Sequence, residues 1–262
     1  MKTISSRQNP LIKEVNLLAN NSAERRKQFK TVLDGVHLVE SAMANGIVLE
    51  NVFVSEHGLR SVEIAHLVDR LESVMSCILV SDSVFNAISP TDHPTGILAV
   101  IAWHNPLFKM PTQSCVVLDT VQDAGNLGTI LRTAAASGIK DILLSDGCVQ
   151  AWSPRVLRAA MGAHFSLNIY EKVDLLTLIP TFQGQVLATG LTQAKSLYSL
   201  NLQKATAWLF GSEGQGLSPQ IMALAQQQVI IPMAEGVESL NVAAAVAVCL
   251  FEQRRQALIN AK

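Results

Sequence analysis

CVVLDTVQDAGNLGTILRTAAASGIKDILLS, residues 115–145, decides the fold class. Its first segment, Cys115–Thr120, is a nearly continuous apolar run, the pattern of a strand covered on both faces in a parallel sheet. A polar loop with Gly125 and Gly128 follows. The spacing then predicts a helix from about Leu127 to Ser137, with Asn126 as its N-cap, and a second strand over Ile142–Ser145. The alternation continues toward the C-terminus. Strands are expected at Leu167–Tyr170, Val186–Thr189, Ala207–Phe210 and Val229–Ile231, with helices near Pro154–Met161, 173–179 and 219–226. A last helix, about Leu240–Leu258, is apolar in its first half and charged in its second. The C-terminal half is therefore expected to be an α/β domain on a parallel sheet, which binds ligands at the carboxyl ends of its strands.

Working toward the N-terminus, WHNPLFKMPT (Trp103–Thr112) interrupts the pattern with two prolines and marks a boundary between a domain over 1–104 and one over 113–262. The first also alternates. Two short helices are expected within 10–30, a strand at Thr31–Leu33, and a helix over His37–Asn45 closed by Gly46. Beyond them lie a strand at Ile47–Ser55, a helix at Leu59–Leu71, a strand at Cys77–Val80, a short helix over 82–89 and a strand at Ile97–Ala102.

Composition bounds the function. Hydrophobic residues make up 49% of the 262 and charged residues 16%, with mean hydropathy +0.29, which argues against disorder and leaves apolar surface for a partner chain. The four cysteines, Cys77, Cys115, Cys148 and Cys249, lie far apart without CxxC or Cys/His ligand spacing, so neither a disulfide framework nor a metal site is expected. MKTISSRQNPLIK at the N-terminus lacks the apolar core of a signal peptide, and the most apolar stretch, Leu240–Phe251, is too short to cross a bilayer. A cytoplasmic protein with no membrane segment is expected. Net charge is −1, yet residues 1–30 hold seven basic residues against two acidic ones, a local +5 that leaves −6 on the remainder. Arg7, Lys13, Arg25, Arg26 and Lys27 thus form either a focused patch for a polyanion or a solvated helical face.

Three strand-to-loop junctions can carry chemistry. In the first, LDTVQDAGNLGTILRTAAASG (118–138), Arg132 sits on the helix just after the loop; a tight turn with an exposed arginine is the competing reading. The loop has neither GxGxxG nor the Lys-Ser/Thr of a P-loop, which weighs against a nicotinamide dehydrogenase. The second, WLFGSEGQGLS (208–218), places Gly211, Gly214 and Gly216 around Glu213 and reads as a close backbone approach or as a structural turn. The third, IIPMAEGVESLNVAAAVAVCLFE (230–252), leads from a strand into an Ala-rich helix capped by Ser239 or Asn241. All three can converge on one side of the sheet as a cofactor site built mainly from backbone groups. Five of the six histidines lie before residue 113, which disfavours a histidine mechanism.

NLGTILRTA (126–134), LFGSEGQGL (209–217) and IPMAEGVESLNVAAAVAVCLFE (231–252) resemble, in order and separation, the three signature motifs of the SpoU-type (TrmH-like) RNA ribose 2′-O-methyltransferases of the SPOUT superfamily. More loosely, ISSRQNPLIK and FKTVLDGVHLVESAMANG (29–46) resemble the ribosomal-protein-like RNA-binding domain that many members carry. The resemblance implies a deep trefoil knot in the C-terminal domain, a homodimer with shared active sites, and S-adenosylmethionine bound in the knot. By motif position it assigns the cofactor to Thr189, Gly190, Gly211, Ile231 and Leu240, and catalysis to Arg132 with Asn126, Glu213, Ser239 and Asn241. It proposes Arg132 as the group that activates the 2′-hydroxyl; a guanidinium stays protonated, so clamping an RNA phosphate is its safer assignment. Ala124 stands where a proline is common in the family. The two-domain layout favours ribosomal over transfer RNA as substrate, and a non-catalytic RNA-binding protein on the same fold is the alternative.

Overall fold

The computed structural model describes residues 1–104, 106–190, 194–212 and 214–259. The chain divides into two compact units: Met1–His104 together with Trp152–Phe165, and 105–151 together with 166–262. The segment 152–165, placed by the sequence reading inside the second domain, clusters with the first unit.

The first unit is a five-stranded sheet with helices on both faces. Its strands are β1 (Lys2–Ile4), β2 (Lys30–Asp34), β3 (Leu49–Ser55), β4 (Ile78–Val80) and β5 (Ile97–Ala102), in the order β1-β4-β3-β5-β2. β5 runs antiparallel to both neighbours, and the remaining pairs are parallel. Strand alternation sorts the core. Val52, Val54, Ile97, Ala99 and Ile101 face α3 (Val36–Ala44) and α4 (Val62–Glu72). Phe53, Leu98 and Val100 face α1 (Pro10–Asn20) and α5 (Asp82–Ile88). Between α1 and β2 lies the short helix α2 (Ser22–Gln28).

β2 is an edge strand, and the 152–165 segment meets it. Thr31 Oγ1 donates to the Trp152 carbonyl at 2.7 Å, and Leu157 joins the α3/α4 side of the core. Covering an edge in this way removes a template for aggregation.

The second unit is a seven-stranded, all-parallel sheet. Its strands are β6 (Cys115–Leu118), β7 (Asp141–Leu144), β8 (Asn168–Tyr170), β9 (Gln185–Thr189), β10 (Lys195–Ser196), β11 (Thr206–Phe210) and β12 (Gln227–Ile230), in the order β10-β12-β9-β11-β6-β7-β8. Every pairing is parallel. One face buries Cys115, Val117, Leu143, Ala207 and Leu209 with α8 (Leu175–Leu178) and α9 (Pro219–Met222). On the other, α10 (Val242–Ile259) packs against α6 (Ala124–Ser137). Gln253 of α10 fixes this layer, accepting from Trp208 Nε1 at 2.8 Å and donating to Ser114 Oγ at 3.0 Å.

Most expected elements are present. α6 starts three residues before the expected Leu127, because Asp123, not Asn126, is its N-cap: Asp123 Oδ1 accepts the Asn126 N–H at 2.7 Å. A charged carboxylate one turn upstream outcompetes the amide for the free helix N–H groups. Ala124 is the first helical residue, where a proline would forfeit no hydrogen bond. The helix ends at Gly138, in the left-handed region at φ 90°. α7 (Pro154–Ala160) completes the set, within the segment that belongs to the first unit.

Candidate active site

The carboxyl ends of β9, β11 and β12 open on one cleft of about 580 Å³. The five residues assigned to cofactor binding, Thr189, Gly190, Gly211, Ile231 and Leu240, all line it. So do Ser239 and Asn241. Its apolar wall includes Leu217, Met222 and Val242. Of the three junctions expected to converge, the second and third line this cleft, and no residue of the first, 118–138, does.

The loop after β11 folds into a tight hairpin. Ser212 N–H donates to the Gly216 carbonyl and Gly216 N–H donates back to Ser212, both at 3.0 Å. The returning strand of that hairpin crosses directly over Gly211. A Cβ at Gly211 would lie 2.0 Å from the Gly216 carbonyl carbon and 2.1 Å from Leu217 N. Only glycine permits that approach. Glu213, assigned to the site, lies outside the described residues.

Asn241 performs the capping that the sequence shared between it and Ser239. Its Oδ1 accepts from the N–H groups of Ala243 (2.9 Å) and Ala244 (3.3 Å), while its Nδ2 donates to Asn126 Oδ1 at 2.9 Å. That amide pair joins the N-terminal ends of α6 and α10 at the cleft. Ser239 is exposed on the loop leading to α10. Arg132 is exposed on α6, six residues past Asn126 and so about 9 Å further along the axis. It does not line the cleft, and among the described residues it makes no hydrogen bond or ion pair.

Asp119 is a site residue the sequence reading missed. It is 5% exposed, and its N–H donates to the Phe210 carbonyl at 2.9 Å. Its Oδ2 accepts from Ser218 N (3.1 Å) and Oγ (2.8 Å), and its Oδ1 accepts from Ser145 Oγ (3.1 Å). The carboxylate therefore ties the ends of β6 and β7 to the far end of the glycine loop. Next to it, Thr120 is held at φ 55° with its N–H donating to Ser145 Oγ. A β-branched residue there is strained, and such strain concentrates at functional sites. The only signal in the sequence was an acidic residue ending an apolar strand.

The proposed RNA contacts all lie in the first unit. Lys13 is exposed, Arg26 is half-buried, and neither has a partner among the described residues. Lys27 is 76% exposed with a 3.6 Å pair to Glu24, and Arg7 donates to the Ser83 carbonyl at 2.8 Å while remaining exposed. Arg25 requires correction. It is 5% exposed, and its Nη1 donates to the carbonyls of Leu18 (2.7 Å) and Ala19 (3.2 Å). Its charge closes the end of α1, where free carbonyls favour a cation, and it is withdrawn from RNA.

His164 is 2% exposed and its ring lies 5.1 Å from that of Trp152, a packing role. Burial pushes the Cys115 and Cys249 thiols up to about 12, so neither is a nucleophile at neutral pH. Among the described residues no cluster of His, Cys, Asp and Glu could hold a metal, and no helix is long and apolar enough to cross a membrane.

An all-parallel sheet with a backbone-lined cleft across its strand ends defines a cofactor-binding α/β domain. Residues 113–251 match the model of the SpoU rRNA methylase family, and the chain belongs to that family. Residues 9–99 match the MRM3-like substrate binding domain. An uncharacterized tRNA/rRNA methyltransferase of Synechocystis is 40% identical, over 97% of this chain and 94% of its own length. The 23S rRNA (guanosine(2553)-2′-O)-methyltransferase RlmP of Bacillus subtilis is 30% identical over 97% of this chain and its full length (100%). The crystal structure of an AdoMet-bound rRNA methyltransferase from Sinorhizobium meliloti superposes with a TM-score of 0.80 at 27% identity, covering 97% of both chains.

Proposed function

We propose that this protein transfers a methyl group from S-adenosylmethionine to a ribose 2′-hydroxyl of ribosomal RNA, in the cytoplasm. One observation carries the reading: a single cleft gathers all five residues assigned to the cofactor and adjoins the Asn126–Asn241 pair at the start of the helix that bears Arg132. Its volume of about 580 Å³ suits a small-molecule cofactor. The lining fits such a group: Gly190 and Gly211 leave backbone rather than side chain at the cleft wall, and apolar Leu217, Met222 and Val242 line it beside them. Thr189, Gly190, Gly211, Ile231 and Leu240 would hold the cofactor, which supplies an electrophilic methyl group on its sulfonium.

The remaining work falls to the chain. The Asn126–Asn241 pair and Ser239 orient the ribose, and the tied hairpin excludes water from one side of the cleft. Arg132 is a permanent cation without an internal partner among the described residues. It clamps the RNA phosphate beside the target ribose, and the 2′-hydroxyl proton passes to bulk water as the oxygen takes the methyl group. Ribosomal RNA is supported by relatives that share both domains along their length.

Two further features belong to the same proposal. β12 lies outside β9, yet the chain returns from it to α10 on α6; this supports the trefoil knot that the resemblance implies. Ala244, Phe251 and Leu258 recur every seven residues along α10 and are exposed, Phe251 at 47% and Leu258 at 56%; this supports a second copy packed on that face. The test combines calorimetric titration of S-adenosylmethionine with radiolabelled methyl transfer to unmodified rRNA. The wild type should bind and transfer, whereas Arg132→Ala should bind with unchanged affinity and lose transfer at least a hundredfold. Absence of binding heat in the wild type, or full turnover in Arg132→Ala, would contradict the scheme.

A further inference from the structure

α2 ends on Phe29 at φ 52°, ψ 40°, the left-handed conformation that α6 reaches with Gly138. A bulky residue there is disfavoured, and this one is also 49% exposed. A sequence shaped by stability alone would place glycine or asparagine at that position.

The ring is nevertheless held firmly. Its centroid lies 5.3 Å from that of Trp103 with the planes tilted by 60°, and Trp103 in turn stacks on Trp152 at 5.4 Å and 11°. The Trp103 N–H donates to the Phe29 carbonyl at 2.8 Å, so backbone and ring are fixed together. The array also leaves Trp103 Nε1 buried with no acceptor among the described residues, a second cost that packing for stability does not explain. An exposed aromatic whose rotamer is already fixed loses little entropy when something stacks on it.

The surrounding charge selects the occupant. Arg26 and Lys27 lie three and two residues before Phe29, in the last turn of α2, the first without a partner among the described residues and the second 76% exposed. An apolar peptide would gain nothing from these cations, whereas an unpaired nucleotide offers a π-face to the ring and a phosphate to the guanidinium or ammonium.

We propose that Phe29 is a stacking platform for an unpaired RNA base, with Arg26 and Lys27 holding the adjoining phosphates. The proposal rests on the reading of this protein as an RNA methyltransferase and names how its first unit takes hold of single-stranded RNA. Base–aromatic stacking of this kind corresponds to roughly a 5- to 150-fold change in affinity.

The test measures binding of the full chain to a labelled 20-nucleotide single-stranded RNA and to the same strand in a blunt duplex, alongside methyl transfer to unmodified rRNA. Phe29→Gly relieves the backbone strain, so its melting temperature should stay within about 3 °C of wild type. It should nonetheless bind the single strand at least fivefold more weakly while duplex binding changes less than twofold. Phe29→Tyr should restore the loss. Arg26→Ala should instead lower the salt dependence, by ~0.7 in the log–log slope, for single-stranded RNA. If the wild type methylates rRNA but Phe29→Gly binds the single strand as wild type does, the platform is overturned and the enzyme assignment stands. If the wild type neither binds RNA nor methylates it, both fall.

Discussion

Gly211→Ala is the sharpest perturbation of the cleft. The added methyl would sit 2.0 Å from the Gly216 carbonyl carbon, 2.1 Å from Leu217 N and 2.2 Å from Gly216 O. All three are backbone atoms, so no side chain can swing aside. Bringing the nearest contact to 3.0 Å, the limit below which real Cβ contacts essentially do not occur, moves the hairpin by at least the missing 1.0 Å. That hairpin is pinned at both ends, by the Ser212–Gly216 hydrogen bonds and by Asp119 on Ser218. Overpacking of this kind costs about 1–3 kcal/mol of stability. The functional cost is larger, since a misplacement of ~1 Å in a positioned site lowers rates by about a hundredfold. Gly214, in the same hairpin, has nothing within 4 Å of an added Cβ and provides the control. Methyl transfer by Gly211→Ala should fall about a hundredfold, and calorimetric titration with S-adenosylmethionine should show it weakened at least fivefold, with Gly214→Ala within threefold of wild type. Equal affinities for Gly211→Ala and wild type would refute the close-approach reasoning.

Asp119→Asn replaces an acceptor-only group by one whose amide must face a donor, and loses a charge-assisted bond of about 1.5–3 kcal/mol. Cofactor affinity should fall about tenfold or more by the same conversion, and Ser218→Ala, which keeps the backbone N–H, should fall less; the reverse order would remove Asp119 from its positioning role. Phe251→Asp on the exposed stripe of α10 should shift the protein from dimer to monomer in sedimentation, and an unchanged sedimentation coefficient would exclude that face. Burial raises the Asp34 carboxyl above its usual 3.8, against the opposing hydroxyls of Thr95 and Thr91 and the Arg158 guanidinium. A raised folded-state pKa contributes stability that is complete below the unfolded value and is lost as pH rises through the folded one. Asp34→Asn should therefore gain stability relative to wild type between pH 4 and pH 7 in urea unfolding, and parallel curves would show that the carboxyl is unperturbed.

The elements that were legible in the sequence are those with strong local signals. The apolar run at Cys115–Leu118, the glycines of 211–216 and the small-residue start of α10 each carried their own reading, the first marking the parallel sheet and the other two the segments that line the cleft. Two strands, Lys2–Ile4 and Lys195–Ser196, escaped because three and two residues show no periodicity; pairing with β4 and β12 defines them. Arg25 looked like its neighbours Arg26 and Lys27 in a charge count, and only the fold of α1 shows that carbonyls of its last turn claim the guanidinium. The attachment of 152–165 to the first unit rests on contacts across more than a hundred residues, among them Thr31 with Trp152 at a separation of 121. Asp119 was hidden for the same reason, since its partner Ser218 lies 99 residues away.

The central claim is chemical and has a direct test. Purified protein is incubated with S-adenosylmethionine carrying an isotopically labelled methyl group and with total rRNA from cells that lack the gene; the RNA is then digested to nucleosides and resolved by mass spectrometry. The account predicts label in a single 2′-O-methylated nucleoside, on the ribose fragment and absent from the base. Label on a base, or none in RNA that the protein demonstrably binds, would contradict it.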